Sequence, residues 1–438
     1  MIWARWYRVR DWVRTSMWLV PALFAIVALV LGWVMPRWDR DSPIDLGLNS
    51  NSIATALNAI VTGMLTFTGL VFSIVMLIVQ FGSSTFSTRL MRWFWRSLVV
   101  KTALGTFIAT FLYSLVALAD VDSGTSSAVA TRTFLLALVM VLVSVSMFLA
   151  LLDRMAGLLR VARVTRVLGR QTIAVVDEVY PHPYDSSRAE DSLRRAVPTT
   201  EPDRVIRHTG EPASIMAIDK HGLVRYAESR DLVLELVPAV GQHVSRGATL
   251  FRVYGTAEVD DHLVRSGVIF GEERTIDGDP SFGFRLLADI ALKALSPAVN
   301  DPTTAVQVLD RLEDLLRHAA HRRLAHGAEA DRNGVARLGF PTPCWDDLLE
   351  LGLDEILVYG AGAPQVTRRM AALLDNLEED VPVERRPIVT AYRARLHRAI
   401  DNAVSDPMSR RFAEVADAQG IGPAAHLFAT MNPDEDVQ

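Results

Sequence analysis

The sequence predicts an α-helical integral membrane protein: four transmembrane helices followed by a cytoplasmic α+β domain, in which a small β barrel-sandwich-like module precedes a helical region. Three observations predict it. Four long apolar stretches lie within the first 152 of 438 residues, and none of comparable length follows. Arginine and lysine gather on one side of those stretches. Beyond residue 204 the apolar period switches to strand-like alternation and then to helical spacing.

The apolar stretches run approximately Met17–Met35, Ile53–Gln80, Leu98–Ala119 and Val129–Leu152. Each is close to or above the ~20 residues that cross a ~30 Å hydrocarbon core. As a helix the second would reach ~42 Å, so it tilts or protrudes. The first is too long and Trp-rich for a cleaved signal, and no A-x-A-like site follows it. Arg5, Arg8, Arg10 and Arg14 precede it. Arg89, Arg92, Arg96 and Lys101 surround the second connection, and Arg154, Arg160, Arg163, Arg166 and Arg170 follow the fourth span. The opposite loops hold only Arg37, Arg40 and Arg132, among Asp39, Asp41, Asp45, Asp120 and Asp122. This asymmetry predicts a multi-pass plasma-membrane protein with both termini cytoplasmic. Trp12, Trp18, Trp33, Trp38, Trp93 and Trp95 near span ends fit an interfacial belt.

Charge splits at the same boundary. Residues 1–170 carry 16 Lys/Arg against 7 Asp/Glu, and residues 171–438 carry 29 against 43. The basic part matches an anionic bilayer as partner, and the acidic part argues against nucleic acid. The single cysteine, Cys344, excludes an internal disulfide framework.

Helical spacing continues through Arg154–Val179, where Arg160, Arg163, Arg166 and Arg170 form a basic stripe. Two readings fit it: contact with phospholipid headgroups, or a vestibule that attracts anions and repels cations. Four regions result: a membrane domain over 1–170, a linker over 171–204, a β module over 205–257 and a mainly helical domain over 258–438. Within the β module, Ala213–Ile218, Gly222–Ala227, Leu232–Pro238 and Thr249–Tyr254 read as strands. The Val237–Leu250 run resembles the strand–turn–strand of barrel-sandwich domains, without the lysine that carries biotin or lipoate. Further on, Phe282–Leu295 predicts a buried helix stopped at Ser296-Pro297. Asp301 and Pro302 start the next helix, whose apolar stripe is Val306, Leu309, Leu312 and Leu316. Residues His326–Gly339 read as an exposed loop, and Asp347–Leu377 and Pro387–Val404 as helical regions.

The second span carries the main functional candidate. Thr55, Asn58, Thr62, Thr66 and Ser73 recur at spacings of three or four, Gly69 fills the gap before Ser73, and Gln80 closes the face. Lipid tails do not reward such a stripe. It either lines a path for something polar or lets helices pack closely. Ser84, Ser87 and Arg89 follow at the expected cytoplasmic mouth, as pore-mouth groups or as caps of a short interfacial helix. Charged residues are absent from the span interiors, which counts against a proton-coupled transporter.

The densest polar constellation is Asp277, Asp279, Asp289, Asn300 and Asp301. Oxygen ligands of this kind suit a hard cation or a regulatory ligand, but the spacing matches no EF-hand loop. Structural roles compete: Asp301 as a helix cap, and Asp289 paired with Lys293 or with a nearby arginine. His318 and His321 lie three apart with His326 beyond and Asp314 one turn earlier. No cysteine joins them and arginines surround them, so exposed histidines are favoured over a metal site. No nucleotide, hydrolase or zinc-protease motif is present. The chain reads as a non-enzyme with no catalytic residues, no metal and no cofactor.

Two motifs carry a family resemblance: Phe72-Ser-Ile-Val-Met-Leu-Ile-Val-Gln80 with Ser84-Thr-Phe-Ser-Thr-Arg89, and the stretch from Asp279-Pro-Ser-Phe-Gly-Phe-Arg to Val299-Asn-Asp-Pro-Thr-Thr-Ala305. Together they resemble the bacterial domain-of-unknown-function 2254 family of predicted membrane proteins. Thr88 stands where the family pattern has a proline. The resemblance implies an N-terminal membrane region and a soluble C-terminal region, and no activity. The residues themselves lead to a homo-oligomeric conduit for an inorganic ion or small solute, with the second span lining the path and the acidic domain assembling or gating it. The alternative is a membrane-anchored sensor or scaffold whose cytoplasmic domain binds a ligand or protein.

Overall fold

The computed structural model describes residues 12–13, 16–41, 50–85, 98–122, 131–158, 160–186, 198, 200–272, 274–324 and 327–420. They form two compact units divided between Arg160 and Val161.

The first unit consists of α1 (Leu19–Asp41), α2 (Ser50–Thr85), α3 (Leu98–Asp122) and α4 (Thr131–Leu158). Each contains a segment long and apolar enough to cross a membrane: Leu19–Asp39, Asn51–Leu77, Leu98–Val121 and Thr131–Met155. The central helix is α3, and not α2: 50% of its apolar segment is buried, against 17–22% in the others. Small residues explain why. Ala103, Ala109 and Ala117 are buried along α3, and Gly105 lies so close to Phe24 of α1 that an added Cβ would come within 3.0 Å of the ring. Such positions let backbones approach and gain dispersion energy that lipid tails do not offer. Phe67 of α2 meets Phe107 of α3 and Phe148 of α4 edge-on, with centroids 5.2 and 4.9 Å apart. Leu23, Ile26, Val30, Leu70, Phe72, Leu142 and Leu149 are exposed, as suits a bilayer.

The second unit begins with α5 (Val161–Val179), an amphipathic helix whose buried Val164, Leu168, Thr172 and Val176 recur every four residues. The chain then builds β1 (Arg204–Arg207), β2 (Ala213–Ile218), α6 (Lys220–Glu228), β3 (Val233–Leu236), β4 (His243–Val244), β5 (Thr249–Tyr254), α7 (Asp261–Ser266) and β6 (Val268–Gly271). Next come α8 (Pro280–Leu295), α9 (Pro302–Ala320), β7 (Gly327–Ala330) and β8 (Ala336–Phe340). The last helices are α10 (Trp345–Leu349), continued by a π-turn, α11 (Glu355–Gly360), α12 (Pro364–Asp380), α13 (Arg386–Ala403) and α14 (Pro407–Glu414).

One sheet has the order β1-β5-β3-β8-β7 and the other β4-β2-β6. Neighbours are antiparallel except β3 and β8, which pair in parallel. Ile206, Leu234, Leu236, Phe251, Val253 and Leu338 fill the core beneath, joined by Leu223 and Ala227 of α6. A helical core surrounds α8 and α9, where Leu309, Leu312 and Leu316 are fully buried and Val306 nearly so. Gly283 of α8 faces Thr172 of α5 so closely that a Cβ there would collide with it.

Several boundaries differ from expectation. Residues 222–227 are helical, because Asp219 caps them by accepting from Gly222 N and because Leu223, Tyr226 and Ala227 bury one helical face. The segment expected to be a loop after residue 326 is the β7–β8 hairpin. Asp331 there accepts from Asn333 N and Val335 N, and Gly334 takes φ +80°. The expected linker begins as helix, since α5 runs to Val179, and Arg204 already belongs to β1. The sheets draw β6, β7 and β8 from beyond residue 257.

Candidate functional site

The α2 face takes its position from the other side of the same helix. Ile53, Leu57, Met64, Val71 and Val75 are buried. At about 100° per residue they fall within a narrow stripe, and the polar stripe lies roughly 160° round from it. Thr55, Asn58, Thr62, Thr66, Ser73 and Gln80 are all exposed. Gly69 belongs to this face, and a Cβ built on it meets nothing within 4 Å. All six predicted residues that line this face therefore share one helix side, turned away from the packed helices. Ser84 is in the last turn of α2, but its side chain lies outside the described residues, as do Ser87 and Arg89 entirely.

The hydroxyls on this face are partly spent. Thr55 Oγ1 donates to Asn51 O at 2.8 Å, Thr66 Oγ1 to Thr62 O at 3.1 Å and Ser73 Oγ to Gly69 O at 3.0 Å. A hydroxyl has one proton and two lone pairs, so each presents an acceptor outward. Chemically the face offers oxygen to a cation or to a hydrogen-bond donor, without a formal charge.

Polar groups on α3 and α4 behave differently. Thr110 Oγ1 and Ser144 Oγ lie 2.8 Å apart and both residues are buried, and Tyr113 donates to Thr133 O at 2.9 Å. At the end of α1, buried Asp39 accepts from Thr133 N at 2.8 Å, Thr133 Oγ1 at 2.7 Å and Arg132 N at 3.2 Å. It caps the N-terminus of α4 from another helix, satisfying orphan amides and complementing the positive end of the dipole. In sequence Asp39 is one of several loop acids, and nothing local marks it as a cap.

The acidic constellation is spent on local structure. Asp279 caps α8 through Phe282 N and pairs with Arg274 at 2.5 Å. Burial pushes its carboxyl above the ordinary range, against the opposing pull of Arg274. Asp289 pairs with Arg285 at 2.8 Å, and Arg285 reaches on to Glu355. Asp301 caps α9 through Thr304 N and Oγ1. Asn300 is exposed with φ +49°, as the turn between the two helices requires, and Asp277 is half-buried with a partner. The histidines separate too: His318 meets Asp177 at 2.7 Å and His321 meets Asp380 at 3.2 Å, while Asp314 pairs with Arg311. His326 lies outside the described residues. Among the described residues no group of three or more His, Cys, Asp or Glu is placed to hold a metal ion.

Sequence reasoning also missed two buried arginines. Arg369 of α12 bridges Asp310 and Glu313 of α9 at 2.7 and 2.5 Å. Arg385 donates to Ala319 O, Ala320 O and Arg322 O, closing the C-terminal end of α9. The hydrogen-bond partners named here lie 56 to 66 residues away in sequence.

A family model described as a predicted membrane protein (DUF2254) matches residues 14–376, which include all four apolar helices and both sheets. Uncharacterized proteins of Mycobacterium tuberculosis and Mycobacterium bovis are each 28% identical over 420 residues, covering 92% of this chain and 79% of theirs. No solved structure matches.

Proposed function

The chain belongs to the DUF2254 family of predicted membrane proteins, and from that premise we propose that it is an oligomeric conduit, conducting an inorganic cation or small polar solute along the outer face of α2. One observation carries this. Every member of the polar stripe from Thr55 to Gln80 is exposed on the side of α2 opposite its packed residues. An open polar face on a span has to be closed by protein or water. Because α3 fills the middle of the four-helix unit, the closing surface has to come from another copy, and a closed symmetric ring satisfies that requirement. Outward acceptors at Thr66 and Ser73 favour a cation over an anion.

In this reading the protein lies in the cell membrane with both termini cytoplasmic, as the arginine asymmetry supports. The second unit then assembles or gates the pore on the cytoplasmic side, and no residue performs catalysis. The Val237–Leu250 turn pattern, with Gly241 and Gly247 at φ +86° and +85°, supports a barrel-sandwich-like β module. The sensor or scaffold alternative draws less support, because Asp289 and Asp301 are already held by Arg285 and Thr304.

Recordings from purified full-length protein in planar bilayers with asymmetric KCl test the proposal. Discrete currents that Thr66→Leu reduces at least several-fold support it. Silent bilayers after verified insertion, or currents indifferent to Thr66→Leu, overturn it.

A further inference from the structure

We infer that α5 is a headgroup-binding helix that seats Arg160, Arg163, Arg166 and Arg170 on anionic phospholipid. At about 100° per residue, Arg163, Arg166 and Arg170 share an arc of roughly 60°. The buried residues Val164, Thr165, Leu168, Gly169, Thr172, Val175 and Val176 centre on the opposite side. One face of α5 is thus committed to its own unit, and the charged residues of the other are all arginines from Arg160 to Arg170, about 15 Å of helix.

These arginines also differ from many of those that follow in the chain. Residues 171–438 carry an excess of acid, and several of their arginines are held by it: Arg317 pairs with Asp380, Arg322 with Asp177, Arg337 with Asp331 and Arg369 with Glu313. Arg160, Arg163, Arg166 and Arg170 have no side-chain partner among the described residues. The stripe ends at Asp177, on the same face, where Arg322 pairs with the carboxylate and His318 hydrogen-bonds to it.

Chain connectivity supplies the partner. Only Leu159 and Arg160 separate α5 from α4, whose apolar segment ends at Met155. Three peptide steps from Leu158 to Val161 reach no more than about 11 Å, so the start of α5 stays near headgroup depth. Guanidinium forks match phosphate oxygens bidentately, which favours phosphodiester headgroups over a diffuse cloud of counter-ions. At roughly fivefold per arginine near an anionic surface, three arginines bias the helix toward the bilayer by roughly a hundredfold, and salt weakens that bias.

The test uses the full-length chain with Cys344→Ser and Ala174→Cys, because Ala174 is exposed on the same face as the arginines. The new thiol carries a fluorophore, and the protein is placed in nanodiscs containing a headgroup-nitroxide lipid. Quenching should rise with the share of phosphatidylglycerol over phosphatidylcholine and fall in 0.5 M KCl. It should drop at least two- to three-fold when Arg163, Arg166 and Arg170 all become Gln. If that triple variant does not purify, the phosphatidylglycerol and salt series on the unmutated stripe decide alone. Quenching that ignores lipid charge and salt overturns the inference. So does quenching that persists in the folded triple variant, which would leave the stripe as a solvated or vestibule-lining surface.

Discussion

Polar side chains on α3 and α4 and those on α2 have opposite fates, although both belong to helices apolar enough to span a membrane. Thr110, Ser144, Tyr113 and Thr133 are buried and bonded between helices, with Asp39 capping α4 from α1. Thr55, Thr66 and Ser73 are exposed and bonded only to their own helix. The first group holds the four-helix unit together, and the second contributes little to it. A polar residue in a span is therefore informative only once its burial is known.

The comparison breaks first at Asp39. Replacing it by Ala removes three accepted hydrogen bonds and leaves buried donors unpaired, which costs about 2–3 kcal/mol. Thermal unfolding of the detergent-solubilised protein should show a lower midpoint than for any single α2-stripe variant. An unchanged midpoint would dissolve the distinction.

The same rule extends to the second unit through pH. Arg317, with His321 adding to it, holds the Asp380 carboxyl below its ordinary range. The resulting stability is complete above the ordinary carboxylate range near pH 4 and is lost as pH falls toward the lowered folded value. Because the pair is partly exposed, it is worth no more than about 1 kcal/mol. Arg317→Gln should lower stability at pH 7 and flatten its decline on the acid side, followed by denaturant unfolding at pH 7 and pH 3.5. A variant that keeps the wild-type acid slope would remove this pair from the account.

A smaller effect sharpens the seam itself. A double-mutant cycle of Thr110→Val and Ser144→Ala should give a coupling of about 0.6 kcal/mol, the usual size for a hydrogen bond between spans. Smallest of all, Thr66→Leu should change the stability of the detergent-solubilised chain by less than about 0.5 kcal/mol, because it removes no packed contact. A loss as large as that from Asp39→Ala would mean that the stripe is structural within the four-helix unit.

The four spans were legible because twenty apolar residues have few other uses, and the α2 stripe because its spacing fits one helix face. The cap at Asp301 was legible because an acid before a proline is a local signal, and Asp279 before Pro280 carries the same signal, which sequence reasoning missed. Residues 220–228 misled because Leu223, Val224 and Tyr226 also satisfy a short strand-like run, and Asp219 decides the matter through a single capping bond. The β7–β8 hairpin carries the Asn333-Gly334 signal, but its strands are short and weakly apolar, so only pairing with β3 identifies them. Asp39, Arg369 and Arg385 act across distances in sequence that no local pattern records.

The most direct measurement is cysteine accessibility along α2 in native membranes, in a Cys344→Ser background. A water-soluble methanethiosulfonate should modify Thr62→Cys, Thr66→Cys and Ser73→Cys and spare Leu70→Cys and Phe72→Cys, which face outward on either flank of the stripe. That pattern is what a polar path produces. If the reagent reaches none of the stripe positions, or all five alike, α2 lines no such path and the account's central claim is contradicted.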